Sequence, residues 1–230
     1  MGTGREKTRG VLSKGRAVLG WLAISGLGLS LSGCVIGPII GQFTGRRSKT
    51  VKVDAKYKLP PGNLLILVDS PTEEAARNGV RTVLSRGIAR EIRFHGVKVS
   101  VIPDSELSSF RSNREDFEKL DVARIGRELS AQQVLYVQVT KFQLGTLLDK
   151  PEGRGLMTGR VKVFDIKQNR RVWPTVEPRG HEVMVLTKFR ELPEKDYRAV
   201  VTQDLCGRMS VKIVELFRKH RELRKSRETK

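Results

Sequence analysis

The sequence is almost without cysteine, with only Cys34 and Cys206 in 230 residues. A small scaffold held together by several disulfides is therefore excluded. Histidine is nearly as scarce, and His95, His181 and His220 are scattered, with no H-x-x-x-H, E-x-x-H or C-x-x-C spacing. Metal sites recognisable from sequence have such spacings, so we predict no metal site.

Motifs for catalysis and for cofactors are also missing. There is no G-x-S-x-G sequence, and the glycines at 153, 155 and 159 lack the G-K-[ST] ending of a phosphate loop. Cys206 falls in an apolar helical stripe with no histidine near it in sequence, so we expect a small buried hydrophobe. We predict no catalytic residue, no cofactor and a protein that is not an enzyme.

The first 34 residues have a basic start, a short apolar stretch and small residues at its end. Five basic side chains precede the stretch over 17–31, and the segment ends in Leu31, Ser32, Gly33 and Cys34. This order is typical of an export signal, and about 15 apolar-biased residues are fewer than the roughly 20 that a transmembrane helix needs.

The ending Leu-Ser-Gly-Cys resembles the lipobox of bacterial lipoproteins. That resemblance implies a signal peptide over 1–33, recognised through Leu31, Ser32 and Gly33, and acylation of Cys34 by chains such as palmitate. Two or three acyl chains give lasting attachment to a membrane. An ordinary secretory signal with a chance cysteine and a short uncleaved anchor are the alternatives.

Acidic residues are few relative to basic ones. The formal net charge is +19, and removal of residues 1–33, with five basic side chains and one acidic one, leaves +15. Such a charge favours anionic neighbours, namely lipid head groups, surface polysaccharide, cell-wall polymer or an acidic protein. Because the signal predicts export, no nucleic acid is expected as a partner.

A basic cluster of Arg46, Arg47, Lys49 and Lys52 follows the cysteine. It has two interpretations of equal weight. The cluster is either a solvated linker or a contact with anionic head groups, to which each charge adds about 1 kcal/mol.

Apolar patterns predict one α/β domain with α+β tendency, built as a mixed sheet of about five to six strands with helices packed on it. Leu64–Val68 is a continuous apolar run, typical of a strand covered on both faces. Ser70 is predicted to cap a helix that ends at Gly96. Strands separated by helices come first and favour parallel pairing, and a later hairpin adds antiparallel strands. The predicted boundaries are 1–33 for the signal, 34–62 for a lipid-anchored basic tether, 63–218 for the domain and 219–230 for a basic tail.

Two segments of the domain are similar to parts of known envelope proteins. They are a helix over 121–129 that leads into a strand at 134–137, and a hairpin over 163–173 in which Asp165 precedes the turn and Asn169 is the predicted left-handed residue. This pattern resembles the curli-secretion lipoprotein, the penicillin-binding-protein activator lipoproteins and the amino-terminal domain of the Tol-system propeller protein. The resemblance implies non-enzymatic docking of other envelope proteins, in some cases as a homo-oligomer. The usual glycine of the turn is absent here.

Asp69 and Asp104 follow two predicted parallel strands, at the sheet edge where α/β proteins bind ligands. A structural role is the favoured interpretation of both, because Asp69 precedes the predicted cap Ser70 and Asp104 can itself cap the next turn.

The function predicted from the sequence is a membrane-anchored docking or assembly factor of the cell envelope, on the periplasmic face. A binding module for an anionic glycan or lipid is the alternative. Val35, rather than aspartate, follows Cys34. By resemblance to the sorting rule of some enteric bacteria, this favours the outer membrane over the inner.

Overall fold

The computed structural model describes residues 50–70, 72–145, 155–187 and 194–223, with the backbone alone for 194–196. In chain order the elements are β1 (Thr50–Val53), β2 (Asn63–Asp69), α1 (Glu73–Arg77), α2 (Val80–Phe94), β3 (Ser100–Val101), α3 (Asp104–Ser112), a 3-10 turn (Phe117–Lys119), α4 (Val122–Glu128), β4 (Gln133–Leu144), β5 (Gly155–Asp165), β6 (Arg170–Trp173), β7 (His181–Leu186), α5 (Glu194–Glu215) and β8 (His220–Leu223).

Six of the described strands form one mixed sheet in the order β3-β2-β4-β5-β6, with β7 also paired to β5. The pairs β2–β3 and β2–β4 are parallel, and β4–β5, β5–β6 and β5–β7 are antiparallel. The predicted mixed sheet with helices packed on it is therefore confirmed.

The two faces of the sheet belong to two hydrophobic clusters. Leu64, Ile66 and Val68 of β2 join the larger cluster, which contains the buried residues of α2 and α5. Leu65 and Leu67 point the other way into a smaller cluster with α4 and the 3-10 turn. Both faces of β2 are therefore covered, which confirms the prediction made from its continuous apolar run.

The helix predicted from Ser70 to Gly96 is two helices. Gly79, at φ +64°, separates α1 from α2, and Thr72, not Ser70, precedes the first helical residue. The predicted cap at Ser70 is therefore wrong. α2 has an apolar stripe whose residues recur every fourth position and are buried against the sheet, namely Val80, Leu84, Ile88 and Ile92.

The hairpin forms as predicted. β5 and β6 flank a turn in which Asn169 takes φ +50° and the Asp165 carboxylate accepts a hydrogen bond of 2.8 Å from the amide of Gln168. An asparagine tolerates the left-handed conformation because its short polar side chain bonds locally. Trp173, at the end of β6, is buried against Phe217.

The β1–β8 ribbon is a separate antiparallel sheet of Thr50–Val53 and His220–Leu223. It lies within the stretches predicted to be the tether and the tail. The ribbon is tied to the domain because the amides of Lys56 and Tyr57 both donate to the Leu216 carbonyl, at 2.8 and 3.1 Å. Because the two segments are so far apart in sequence, no local pattern indicates that they pair with each other.

Candidate functional site

Most residues of the predicted anchor lie outside the described part of the chain. These are Leu31, Ser32, Gly33, Cys34, Arg46, Arg47 and Lys49. Lys52 is described, and it is exposed in β1 directly opposite the exposed Arg221 of β8. Within the described ranges, no helix has both the length and the apolar character needed to cross a bilayer.

Asp69 and Asp104 lie at the carboxyl ends of β2 and β3, as predicted, and each faces an arginine of α2. Asp69 accepts a hydrogen bond of 2.9 Å from the Tyr136 hydroxyl and lies 3.8 Å from Arg81. Asp104 accepts a bond of 3.2 Å from Nε of Arg86. Asp104 is in the first turn of α3 but makes no side-chain cap, so the predicted capping role of its side chain is wrong.

Burial and charge shape this edge of the sheet further. Burial, and then the Asp69 carboxylate beside it, raise the pKa of the Tyr136 hydroxyl well above its usual value. Burial, and then the like charge of Arg81, lower the pKa of Arg111, whose guanidinium stacks 4.5 Å from the centre of the Phe117 ring. These contacts hold the cations and carboxylates against each other, which is what structural ion pairs do.

A more open surface lies on the opposite side of the sheet, along β7. Among the described strands only β5 pairs with β7, so the other edge of β7 has no strand beside it. Val183 and Val185 belong to the larger core, whereas the alternating Met184 and Leu186 are 60% and 58% exposed. An edge strand that is apolar on both faces is unusual, because edge strands normally carry charged side chains or are covered, which prevents pairing with another chain.

The backbone of β7 has hydrogen-bonding groups directed outward. The Thr187 amide donates to the Gly155 carbonyl at 3.0 Å. Every second residue of an antiparallel strand directs its backbone N–H and C=O to the same neighbour, so residues 181, 183 and 185 also direct theirs to β5. The backbone groups of Glu182, Met184 and Leu186 therefore point to the free edge. They form a template onto which another strand can be added.

α5 closes one side of this edge and makes it a groove of about 750 Å³. Val200, Gly207 and Val211 lie on the wall, in a stripe beside the core-facing stripe of the helix. Gly207 leaves the wall open, since nothing lies within 4 Å of where a side chain would begin. The polar rim includes Asp204 and Arg208, which are paired at 2.9 Å. We name this surface, from Met184–Leu186 to the Val200–Lys212 face of α5, the β7–α5 groove.

Neither protein-family models nor curated proteins match the sequence. The structure is similar to the PelC dodecamer from Paraburkholderia phytofirmans, with a TM-score of 0.39 and 11% identity over 71% of this chain and 96% of that chain. It is similar to lipoprotein GNA1162 from Neisseria meningitidis, with a TM-score of 0.40 and 12% identity over 62% and 94%. It is also similar to TolB from Acinetobacter baumannii, with a TM-score of 0.28 and 10% identity over 73% of this chain and 31% of that chain. A bacterial lipoprotein is thus among the similar structures.

Sequence reasoning missed the β7–α5 groove. The run Val183-Met184-Val185-Leu186 is apolar at every position, and in a strand this places apolar side chains on both faces, which was the available signal of an exposed apolar surface. The side stripe of α5 could be found by counting positions 200, 204, 207 and 211 along the helix. Which strand the stripe faces depends on the tertiary fold.

Proposed function

We propose that this protein is a lipid-anchored lipoprotein of a bacterial cell envelope that serves, without catalysis, as a docking or assembly factor for other envelope proteins. The docking role is carried by the free, apolar edge of β7 beside the open wall of α5. The anchor is inferred from Leu31, Ser32, Gly33 and Cys34. The domain then faces the periplasm, at the outer membrane rather than the inner.

The occupant is an extended segment of a partner protein, added as a strand to β7. Its backbone would bond the outward groups of Glu182, Met184 and Leu186, which supplies affinity without requiring a particular sequence. One row of its side chains would face Val200 and Val211 of α5, and the alternate row would lie beside the exposed side chains of β7. Apolar side chains at alternate positions would therefore be favoured in the partner.

A matched pair of substitutions tests the strand addition. Met184→Pro removes an outward N–H and no bond to β5, and proline is tolerated at such an edge position. Met184→Ala removes the side chain and keeps the N–H. A photo-crosslinking residue at the exposed Gln203 in the groove should capture an envelope protein in cells, with capture lost in Met184→Pro and retained in part in Met184→Ala.

The control places the crosslinker at Val176, which is 87% exposed and lies outside the groove. Capture that is indifferent to Met184→Pro, or that is the same from Val176, would contradict the docking role of β7. An adduct of two copies of this chain would replace the envelope partner with a homo-oligomer.

The anchor has its own test. The intact mass of the membrane-extracted protein should show a chain that begins at Cys34 and carries acyl chains. An unmodified thiol at that residue, or an attached upstream peptide, would refute the lipoprotein assignment whatever the outcome at the groove.

One observation favours a second function, the binding of anionic lipid or glycan. Lys52 and Arg221 are cross-strand neighbours and both exposed, and like charges in that position repel each other unless an anion lies nearby. A Cys34→Ser variant should then sediment with phosphatidylglycerol vesicles at low salt and lose binding when both are changed to glutamine. Changing the exposed Lys98 and Lys141 instead removes the same charge elsewhere. Equal losses from both pairs would leave only a general charge effect and refute a site at the ribbon.

A further inference from the structure

We propose that Glu215, His220 and Glu222 form a binding site for a divalent transition-metal ion, with Zn²⁺ as the ion that fits the donors best. The site adjoins the β7–α5 groove at Lys212, but zinc binding does not require that a partner docks there. Imidazole and carboxylate are both ordinary zinc ligands, and three protein ligands with one open position are a recurrent zinc arrangement.

The fold brings the three donors together from two elements. Glu215 is the last residue of α5, and a short turn leads to β8, where His220 and Glu222 share one side of the strand because side chains alternate. One ligand atom from each residue lies within 4.8 Å of the other two. His220 Nε2 and Glu222 Oε1 are 3.3 Å apart. Two ligands bound tetrahedrally to one zinc ion are also about 3.3 Å apart, given zinc–ligand distances near 2.0–2.1 Å.

The orientation of His220 points to a cation between these groups. Its Nδ1 lies 3.2 Å from the Arg218 carbonyl oxygen, so Nδ1–H donates there and Nε2 faces the carboxylates. In the neutral ring, Nε2 then meets Glu222 lone pair to lone pair, unless a proton or a metal ion lies between them. Metal-bound histidines are commonly fixed in this way, through the other ring nitrogen. The side chain of His220 is only 7% exposed, which holds the ring in place.

Lys212 marks the position that a cation takes. Its ammonium nitrogen lies 3.0 Å from Glu215 Oε2 and 3.5 Å from Glu222 Oε1. The lysine side chain is 49% exposed, so it can withdraw to solvent when a metal ion enters. An adjoining cavity of about 320 Å³ provides access.

The other histidines provide the contrast. His181, in the wall of the same cavity, is engaged on both nitrogens, by Glu177 at 3.0 Å and Lys56 at 3.0 Å. His95 has a single carboxylate, Glu91, at 3.5 Å. Among the residues that the structure describes, neither of these histidines has two carboxylates beside it as His220 does. A bound zinc ion would join α5 to β8 and, through β8, to β1.

Zinc titration of the full-length protein tests the site. The protein, purified in detergent without a histidine tag and stripped with chelator, should bind one Zn²⁺ by calorimetry and give the visible absorption of a four- or five-coordinate site with Co²⁺. Glu215→Gln and His220→Gln should each weaken binding at least about 100-fold, since even outer-shell changes cost 10–100-fold. His95→Gln is the matched control and should bind as the unaltered protein does.

Lys212→Gln keeps all three ligands, so it tests the zinc site even if a ligand variant fails to fold. Loss of the competing ammonium should tighten Zn²⁺ binding by about five-fold, the size of one or two partly exposed ion pairs. Unchanged or weaker binding in Lys212→Gln would overturn the shared cation position. Binding that survives His220→Gln, or a Kd for the unaltered protein weaker than about 100 μM, would overturn the site itself.

Discussion

Two glycine-to-alanine substitutions, one in each of two helices of the larger core, should differ in their effect on the free energy of unfolding. A side-chain carbon at Gly87 of α2 would lie 2.3 Å from the Ser210 hydroxyl oxygen on α5. At Gly207 of α5 it would meet nothing within 4 Å. Both glycines are inside helices, so both substitutions gain about 1 kcal/mol of helix propensity. The difference between them therefore measures the contact between α2 and α5.

The cost at Gly87 follows from the position of Ser210. Ser210 is fully buried and its hydroxyl donates to the Cys206 carbonyl at 2.7 Å. Accommodating the new carbon either breaks that bond, at about 1–3 kcal/mol, or separates the helices at a similar overpacking cost. Gly87→Ala should thus be neutral to about 2 kcal/mol destabilising, and Gly207→Ala about 0.5–1 kcal/mol stabilising.

Urea unfolding followed by circular dichroism measures both values, with the slope m as the check that the transition stays two-state. Adding Ser210→Ala to Gly87→Ala should restore much of the loss, since the clashing oxygen is gone. Equal stability of the two glycine variants would refute the close packing of α2 on α5. Gly207→Trp offers a link to function, because it should fill the β7–α5 groove and block docking while the protein stays folded.

Three further predictions concern buried groups. Burial raises the pKa of the Cys206 thiol to about 12, so iodoacetamide should label it at pH 8 only after denaturation; rapid labelling of the native protein would contradict its burial. Burial also raises the pKa of all three tyrosines, Tyr57, Tyr136 and Tyr197, so the unfolded chain loses phenolic protons first, and stability should fall as pH rises past about 10. If phenolate absorbance rose over the same pH range in the native protein as in the urea-unfolded protein, the raised tyrosine pKa values would be contradicted. Trp173→Ala should cost about 3–5 kcal/mol in thermal unfolding, and a loss below 1 kcal/mol would show that the ring is not core.

Local patterns in the sequence predicted the central part of the fold. The apolar run of β2, the four-residue spacing in α2 and α5, and the turn at Asn169 each depend on neighbours close in the chain. The mixed pairing followed because helices separate the early strands and a tight turn joins the later ones. Each of these features could be deduced without tertiary information.

The features missed depend on contacts between distant residues. Residues Val97-Lys98-Val99-Ser100-Val101 alternate between apolar and polar side chains as a full strand does, but only Ser100–Val101 pairs with β2. The helix break at Gly79 gave no signal beyond the glycine itself. The β1–β8 ribbon joins segments some 170 positions apart. The donors around His220 are close only because a turn folds β8 back beside the end of α5.

The candidate sites divide in the same way. The sequence correctly placed Asp69 and Asp104 at one edge of the sheet, because parallel strands end together. It did not indicate their arginine partners, since Arg81 and Arg86 are positioned by the packing of α2. The groove beside β7 required knowing which strand is at the edge.

The β1–β8 ribbon determines how mechanical load would enter the molecule. If Cys34 is the anchor, as proposed, a pull on it would reach the described structure at Thr50 and act first on the four residue pairs of the ribbon. The next connection is the pair of hydrogen bonds that the Lys56 and Tyr57 amides donate to the Leu216 carbonyl, at the end of α5. While both hold, they would pass the force to β8 and the end of α5 instead of leaving the chain over 54–62 to carry it into β2. The ribbon would therefore decide that tension enters the domain through α5, the helix that forms one wall of the β7–α5 groove.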